Sequence, residues 1–173
     1  MPSSLVESRL MPQLKCPNCS REFVRRVARV GLKERVAGWF YVYPFRCQIC
    51  GFRFRFLQWG VRYLHVDEDR REYDRMAMNF PVLFRGDQFD GDGNVLDISM
   101  GGCSFTTASK LAVGAIMRLE LKISKDTVPV IVEAAVLRHW HNQIAGVEFI
   151  QWRQSERERL QLFVCGLLIG RRY

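Results

Sequence analysis

Two cysteine doublets, Cys16-Pro17-Asn18-Cys19 and Cys47-Gln48-Ile49-Cys50, constrain the fold more than any other feature of the sequence. The segment that holds them, residues 16–59, is too short to bury a self-sufficient apolar core, so a staple is expected on physical grounds. In a chain with no secretory features, paired CxxC spacings favour metal thiolates over disulfides. Four thiolates around a tetrahedral zinc ion leave no coordination position open, which makes the expected ion structural. Such sites contribute about 10–16 kcal/mol in small zinc peptides near neutral pH. A redox CxxC is the competing reading, and two matched doublets flanking one hairpin weigh against it.

The residues between the doublets supply strands. Phe23, Val24, Val27 and Val30 are spaced apolar positions, and Gly31-Leu32-Lys33 reads as a turn. Residues 35–46 are rich in β-branched and aromatic side chains, which predicts a returning strand. Phe52-Arg53-Phe54-Arg55-Phe56 alternates with period two, placing the phenylalanines on a core face and the arginines in solvent. Pro17 and Gly51 suit tight turns at the doublets. Two hairpins would bring the cysteines together, and the unit resembles a zinc ribbon with Cys16, Cys19, Cys47 and Cys50 as ligands, preceded by a loose lead over residues 1–15. Cys103 and Cys165 read as small buried apolar side chains.

Charge separates the chain into two parts. Residues 1–66 hold 12 Lys and Arg against 3 Glu, whereas residues 67–173 hold 14 against 15 Asp and Glu. The excess points to an anionic partner at the N-terminal unit, a nucleic acid or another acidic surface, with a merely solvated basic face as the equal alternative. Residues 60–70 pass from apolar and basic to acidic and form the expected linker. No apolar run has the length of a membrane span or a signal-peptide core, and the mixed composition reads as globular, so a soluble cytoplasmic protein is expected.

Residues 71–173 form the second expected domain. Strand-rich runs at 80–84, 94–98, 103–106, 116–123, 128–140 and 144–149 are separated by turn residues at 86–93, 101–102, 113–114, 125–126 and 141–142. Closely spaced short strands of this kind predict a small antiparallel barrel, which hides its edges by closing. Ser155-Glu156-Arg157-Glu158 predicts a capping box, opening a helix with Leu160, Phe163, Val164, Leu167 and Leu168 on one stripe and an end near Gly166 or Gly170. The expected fold class is mainly β: a six-stranded antiparallel barrel with a C-terminal helix, preceded by a β-hairpin zinc ribbon.

At the start of the barrel segment Arg71-x-x-x-Arg75 appears, and after residues 76–96 comes Asp97-Ile98-Ser99-Met100-Gly101-Gly102. Arginine forks pair with phosphates or guanine edges and stack on bases. Aspartate and serine add hydrogen-bonding groups, and glycine admits a bulky ligand close to the backbone. This two-part pattern, RxxxR then (D/N)xSxxG, resembles the PilZ domain family over residues 68–165, and Gly146-Val147-Glu148-Phe149 resembles the family's last barrel strand. The resemblance implies a non-enzymatic receptor for cyclic di-GMP. Carried over residue by residue, it gives Arg71 and Arg75 the phosphates and guanines, Asp97 and Ser99 hydrogen bonds to a guanine, Gly102 clearance, and Arg70 an auxiliary contact. Because these arginines lie beside the linker, nucleotide binding would reorient the ribbon against the barrel. The alternative keeps the barrel as a scaffold and makes the protein a nucleic-acid-binding regulator acting through the basic ribbon. A ribbon that docks on a protein is a third reading.

Catalytic signatures are missing from the sequence: there is no GxSxG, no phosphate-cradling glycine loop with lysine and no zinc-protease helix, and Ser99 has no placeable histidine base. His139 and His141 flank Trp140 on one strand face without a third ligand and read as a surface or strand-end pair. Asp90-x-Asp92-x-Asn94 lacks the glycine and glutamate of a calcium loop and reads as a hairpin turn.

Overall fold

The computed structural model describes residues 14–61, 72–124 and 126–170. The chain divides into two compact units, residues 1–70 and 71–173. Most of the expected lead and linker lies outside the described residues.

In the first unit β1 (Val24–Arg26), β2 (Val42–Cys47) and β3 (Arg53–Leu57) form an antiparallel sheet in the order β1-β2-β3. Between β1 and β2 runs α1 (Gly31–Trp39), where composition predicts a turn and the beginning of a strand. The cause of this correction is local. Leu32-Lys33-Glu34-Arg35 contains good helix formers, and the Glu34 carboxylate reaches back to accept the Val30 N–H at 2.7 Å, satisfying a donor that the first turn leaves open. Tyr41, at φ 60°, then turns the chain into β2.

Glu34 also fastens α1 to the sheet. Arg53 donates to its Oε2 at 2.7 Å, and Arg55 lies 3.4 Å from Oε1. Arg53 is thus held against a buried carboxylate, whereas Arg55 touches it and stays largely in solvent, as the alternation implies. Burial pushes the Glu34 carboxyl up, but the Val30 N–H and the two guanidinium groups outweigh it and hold the group below the usual glutamate range. On the opposite face Phe45 stacks on Phe54 at 6.1 Å, and the Arg26 and Arg29 guanidinium groups lie 5.9 and 5.8 Å from the centre of the Tyr43 ring.

The second unit is the expected barrel. Its strands are β4 (Met76–Arg85), β5 (Asp90–Ser99), β6 (Gly102–Thr106), β7 (Ile116–Leu121), β8 (Val130–His141) and β9 (Ile144–Gln151), closed in the order β4-β5-β6-β9-β8-β7. Closure comes from β4 pairing with β7, with Val82 opposite Leu121 and Arg85 opposite Arg118. Alternation sends Phe80, Val82 and Phe84 of β4 inward to meet Phe105, Leu119, Leu121, Val132 and Leu137.

β5 starts earlier than the turn residues suggest. Asp90 to Gly93 pair with Arg85 to Val82, so the acidic, glycine-rich stretch is strand, and the turn shrinks to residues 86–89 with the Gly86 N–H donating to the Phe89 carbonyl at 2.7 Å. Cross-strand pairing here overrides local turn preference.

The helix α2 (Gln154–Gly170) begins before Ser155, so the capping box does not form, and it runs on through Gly166. Glu158, the acid of that box, accepts from the Gln154 side-chain amide at 2.9 Å. Glu156 accepts the Ile131 N–H at 2.9 Å, while Arg159 pairs with Glu156 at 3.0 Å and donates to the carbonyls of Pro129 and Val128. These bonds pin the first turns of α2 to the start of β8. Leu160, Val164 and Cys165 are buried, and the Phe163 ring meets Phe80 edge-on at 6.1 Å.

Leu119 is fully enclosed by this barrel. Leu119→Ala should lower its stability by about 2–5 kcal/mol, the range for a large-to-small change in a sealed core. Chemical denaturation followed by circular dichroism reads this directly, and an unchanged midpoint would contradict the packing.

Candidate functional site

The turn Met100-Gly101 joins β5 to β6, and this hairpin carries the second half of the two-part motif. Ser99 is buried, with its hydroxyl donating to the Gly102 carbonyl at 3.1 Å and accepting the Gly101 N–H at 3.3 Å. The serine therefore braces the turn and is not an available nucleophile. Gly102 stands opposite Glu148 of β9, and a Cβ there would run into the Val147 carbonyl oxygen, so the close strand approach demands glycine. The Gly101 carbonyl accepts the Phe149 N–H at 3.0 Å, tying the turn to β9.

Arg75 immediately precedes β4, and β4 pairs with β5 so that Ala77 faces Asp97. This register brings the two motif halves together. The Arg75 guanidinium donates to Asp97 Oδ1 at 3.0 Å, with both side chains about one-third exposed, at 32% and 29%. Behind them sits Cys103, whose thiol is pushed far above its ordinary value by burial and by the Asp97 carboxylate, against a smaller opposing effect of Arg75. It is an inert core group. Cys165 is also buried.

The structure thus gathers Arg75, Asp97, Ser99 and Gly102 at one end of the barrel, whereas Arg70 and Arg71 lie outside the described residues. One neighbour escapes the sequence reading. Tyr73, in the spacer of RxxxR, lays its ring against Gly101, so close that a Cβ on that glycine would stand 2.8 Å away. An aromatic residue inside the spacer was the available signal. A cleft of about 140 Å3 between Arg85, Asp90, Arg118 and Glu120 lies toward the other end of β4 and is too small for a dinucleotide.

In the first unit Cys16, Cys19, Cys47 and Cys50 converge, all four sulfurs lying within 4.8 Å of one another. The Cys16–Cys50 and Cys19–Cys47 sulfur separations are both 3.6 Å. Four thiolates 2.3 Å from a tetrahedral centre stand about 3.8 Å apart, so the spacing fits a tetrahedral metal site. The two knuckles repeat one backbone design. Cys16 N–H donates to Arg21 and Cys47 N–H to Phe52, each at 2.9 Å, while the N–H groups of Ser20 and Gly51 return to Cys16 and Cys47 at 2.8 and 3.1 Å. Each knuckle closes through a left-handed residue, Gly51 at φ 77° and Ser20 at φ 57°. Serine in that role was not legible from the sequence.

Burial drives the Cys47 thiol well above its ordinary value. At Cys50 burial acts the same way, but the Phe52 N–H, the Asn18 side chain and the neighbouring sulfurs outweigh it and bring the thiol down to about 7. Burial raises the Cys19 thiol as well, so a cation that binds the four sulfurs would release protons from them. Among the described residues this is the one group of three or more metal-ligating side chains. His139 and His141 are exposed, with ring centres 6.3 Å apart.

The PilZ domain profile matches residues 69–165, from the arginine motif to α2. Among solved structures, the Bacillus subtilis inhibitor of motility (MotI/DgrA) aligns with a TM-score of 0.51 at 13% identity, over 76% of this chain and 75% of that one. The PilZ domain of CeSA from a cellulose-synthesizing bacterium gives 0.45 at 18% identity, over 54% of this chain and 97% of that one. An uncharacterized Legionella protein gives 0.39 at 13% identity, over 58% and 100% respectively. No curated protein matches the chain by sequence. No described helix is long and apolar enough to cross a membrane. With the profile spanning more than half of the sequence and both motif halves meeting at one end of a closed barrel, this chain belongs to the PilZ domain family.

Proposed function

We propose that the protein is a non-enzymatic receptor for cyclic di-GMP, which binds at the end of the barrel marked by Arg75, Asp97, Ser99 and Gly102, with Arg70 and Arg71 as further cationic contacts. The observation that carries this reading is the Arg75–Asp97 pair beside the braced Ser99–Gly102 turn. A partly exposed ion pair is worth about 0–1 kcal/mol, whereas a bidentate arginine contact to a guanine edge returns roughly 1–3 kcal/mol. Ligand can therefore draw Arg75 away from Asp97 at a net gain. That exchange leaves the carboxylate available to accept a guanine N–H. Ser99 keeps one lone pair beyond its two turn bonds.

The four cysteines hold a structural zinc ion in this reading, making the first unit a zinc ribbon. Support comes from the sulfur spacing and the doubled knuckle geometry. The boundary between the units falls beside Arg70 and Arg71. Capture of those arginines by the nucleotide restrains the connection and shifts the ribbon's orientation, to the extent that ligand prefers one arrangement.

Titration calorimetry with cyclic di-GMP should show Arg71→Ala and Arg75→Ala each weakening affinity by about tenfold or more. Full affinity in both variants would reject the assignment. Elemental analysis of purified protein should find stoichiometric zinc, and Cys47→Ser should abolish it together with the ordered signals of the first unit. Iron in its place, or an ordered metal-free unit, would overturn the zinc reading. Small-angle scattering should change on saturation with cyclic di-GMP, and superimposable profiles would remove the reorientation while leaving binding intact.

A further inference from the structure

The first unit carries a surface that the cysteine cluster does not require. Helix α1 turns Glu34 toward the sheet, and its outward stripe is Leu32, Val36 and Trp39, at i, i+4 and i+7, continued by Phe40. Leu32, Trp39 and Phe40 are 76%, 81% and 67% exposed. The usual order of an amphipathic helix is thus reversed, with apolar side chains outward and the acid inward.

The neighbouring end of the β2–β3 hairpin extends the patch. Gln58 N–H donates to the Tyr41 carbonyl at 2.8 Å, the Trp59 ring lies 5.2 Å from Tyr41, and Leu57 pairs with Val42. Trp59 is 80% exposed. This end is remote from the metal cluster, because Val42 and Cys47 are the two ends of β2. Two indoles and a phenyl ring, each largely exposed, make a patch of roughly 400 Å2, within the range of the largest apolar patches on monomers, which are often functional.

Charge narrows the occupant. From Val30 to Trp59 the only acidic residue is Glu34, and its carboxylate is buried against Arg53 and Arg55. Lys33 and Arg35 stand exposed on α1 beside the stripe, and the Arg29 guanidinium lies against Gly38. Among the described residues the tip is therefore apolar, flanked by cations and free of exposed carboxylate. A single-stranded nucleic acid would use the ring faces but would leave Leu32, Val36 and Leu57 without a role. Protein interfaces enrich Trp, Phe and Arg but deplete Lys, so Lys33 beside the stripe is the member that a protein partner would leave unused. A bilayer surface uses every member: indoles and Phe40 at headgroup level, aliphatic groups below, and Lys33 and Arg35 against anionic headgroups.

We propose that the tip formed by α1 and Trp59 docks peripherally on an anionic lipid surface. This docking is independent of the nucleotide reading. The full zinc-loaded protein should cosediment with vesicles of phosphatidylcholine and phosphatidylglycerol, and not with phosphatidylcholine alone, and its tryptophan emission should shift to the blue. Combining Trp39→Ala with Trp59→Ala should weaken vesicle binding by about tenfold or more, and Lys33→Gln and Arg35→Gln by about fivefold each. All four positions are exposed, so the melting temperature should hold, as should the cyclic di-GMP titration. Lack of binding to anionic vesicles at low salt would overturn the proposal. So would unchanged binding in the tryptophan double variant, or tryptophan-dependent binding of oligothymidine where vesicles bind nothing.

Discussion

Closure of the barrel through β4 fixes the position of everything at the candidate nucleotide site. This strand pairs with β5 along one edge and with β7 along the other, so its register cannot slip without opening the barrel. Arg75 hangs from the start of β4, and Asp97 lies across from it on β5. Their 3.0 Å pairing is thus a consequence of how Phe80, Val82 and Phe84 fill the interior at the other end of the same strand. Core and site are one constraint.

Regular alternation alone would misplace the aspartate. Val95 and Ile98 both point into the barrel, although three positions separate them, and strict period-two alternation from Val95 would send Asp97 inward as well. The register shift between Val95 and Asp97 against β6 breaks the pattern and turns Asp97 outward, while a second irregularity between Ala77 and Phe80 bends β4 beside it. Bulges re-aim side chains in this way, and both fall at the end of the barrel where the motif gathers. The site is therefore built by two departures from strand geometry inside an otherwise regular sheet, and the bonds of Ser99 within the turn hold the result in place before any ligand arrives.

This also explains what the sequence made legible. Strand-rich runs and turn residues reveal the barrel because each strand carries its own alternation, and the two-part motif survives as a linear string. Bulges are invisible in that string, since they exist only relative to a partner strand. Helix α1 was hidden for a related reason. Val36, Trp39 and the aromatic residues after it look like strand, whereas the helix is secured by Glu34 reaching Val30 four residues back and Arg53 on β3. The early start of β5 follows the same rule: pairing with β4 claims Asp90 to Gly93. Local chemistry was read correctly there, but a distant partner outbid it.

The two units solve the stability problem by different means, and that difference bears on their surfaces. The barrel has a closed interior filled by large apolar side chains, although Ile116, Val128 and Leu162 stay exposed, whereas the first unit has only a three-stranded sheet, a short helix and the thiol cluster. A metal held by four thiolates contributes about 10–16 kcal/mol, more than a core of that size supplies. Stability supplied by a metal on these four thiols would not require Trp39, Phe40 and Trp59 to be buried, and they are not. A metal staple at one end would leave the unit free to present its aromatic residues at the other. A surface maintained at that cost in exposed apolar area is best explained by something that covers it.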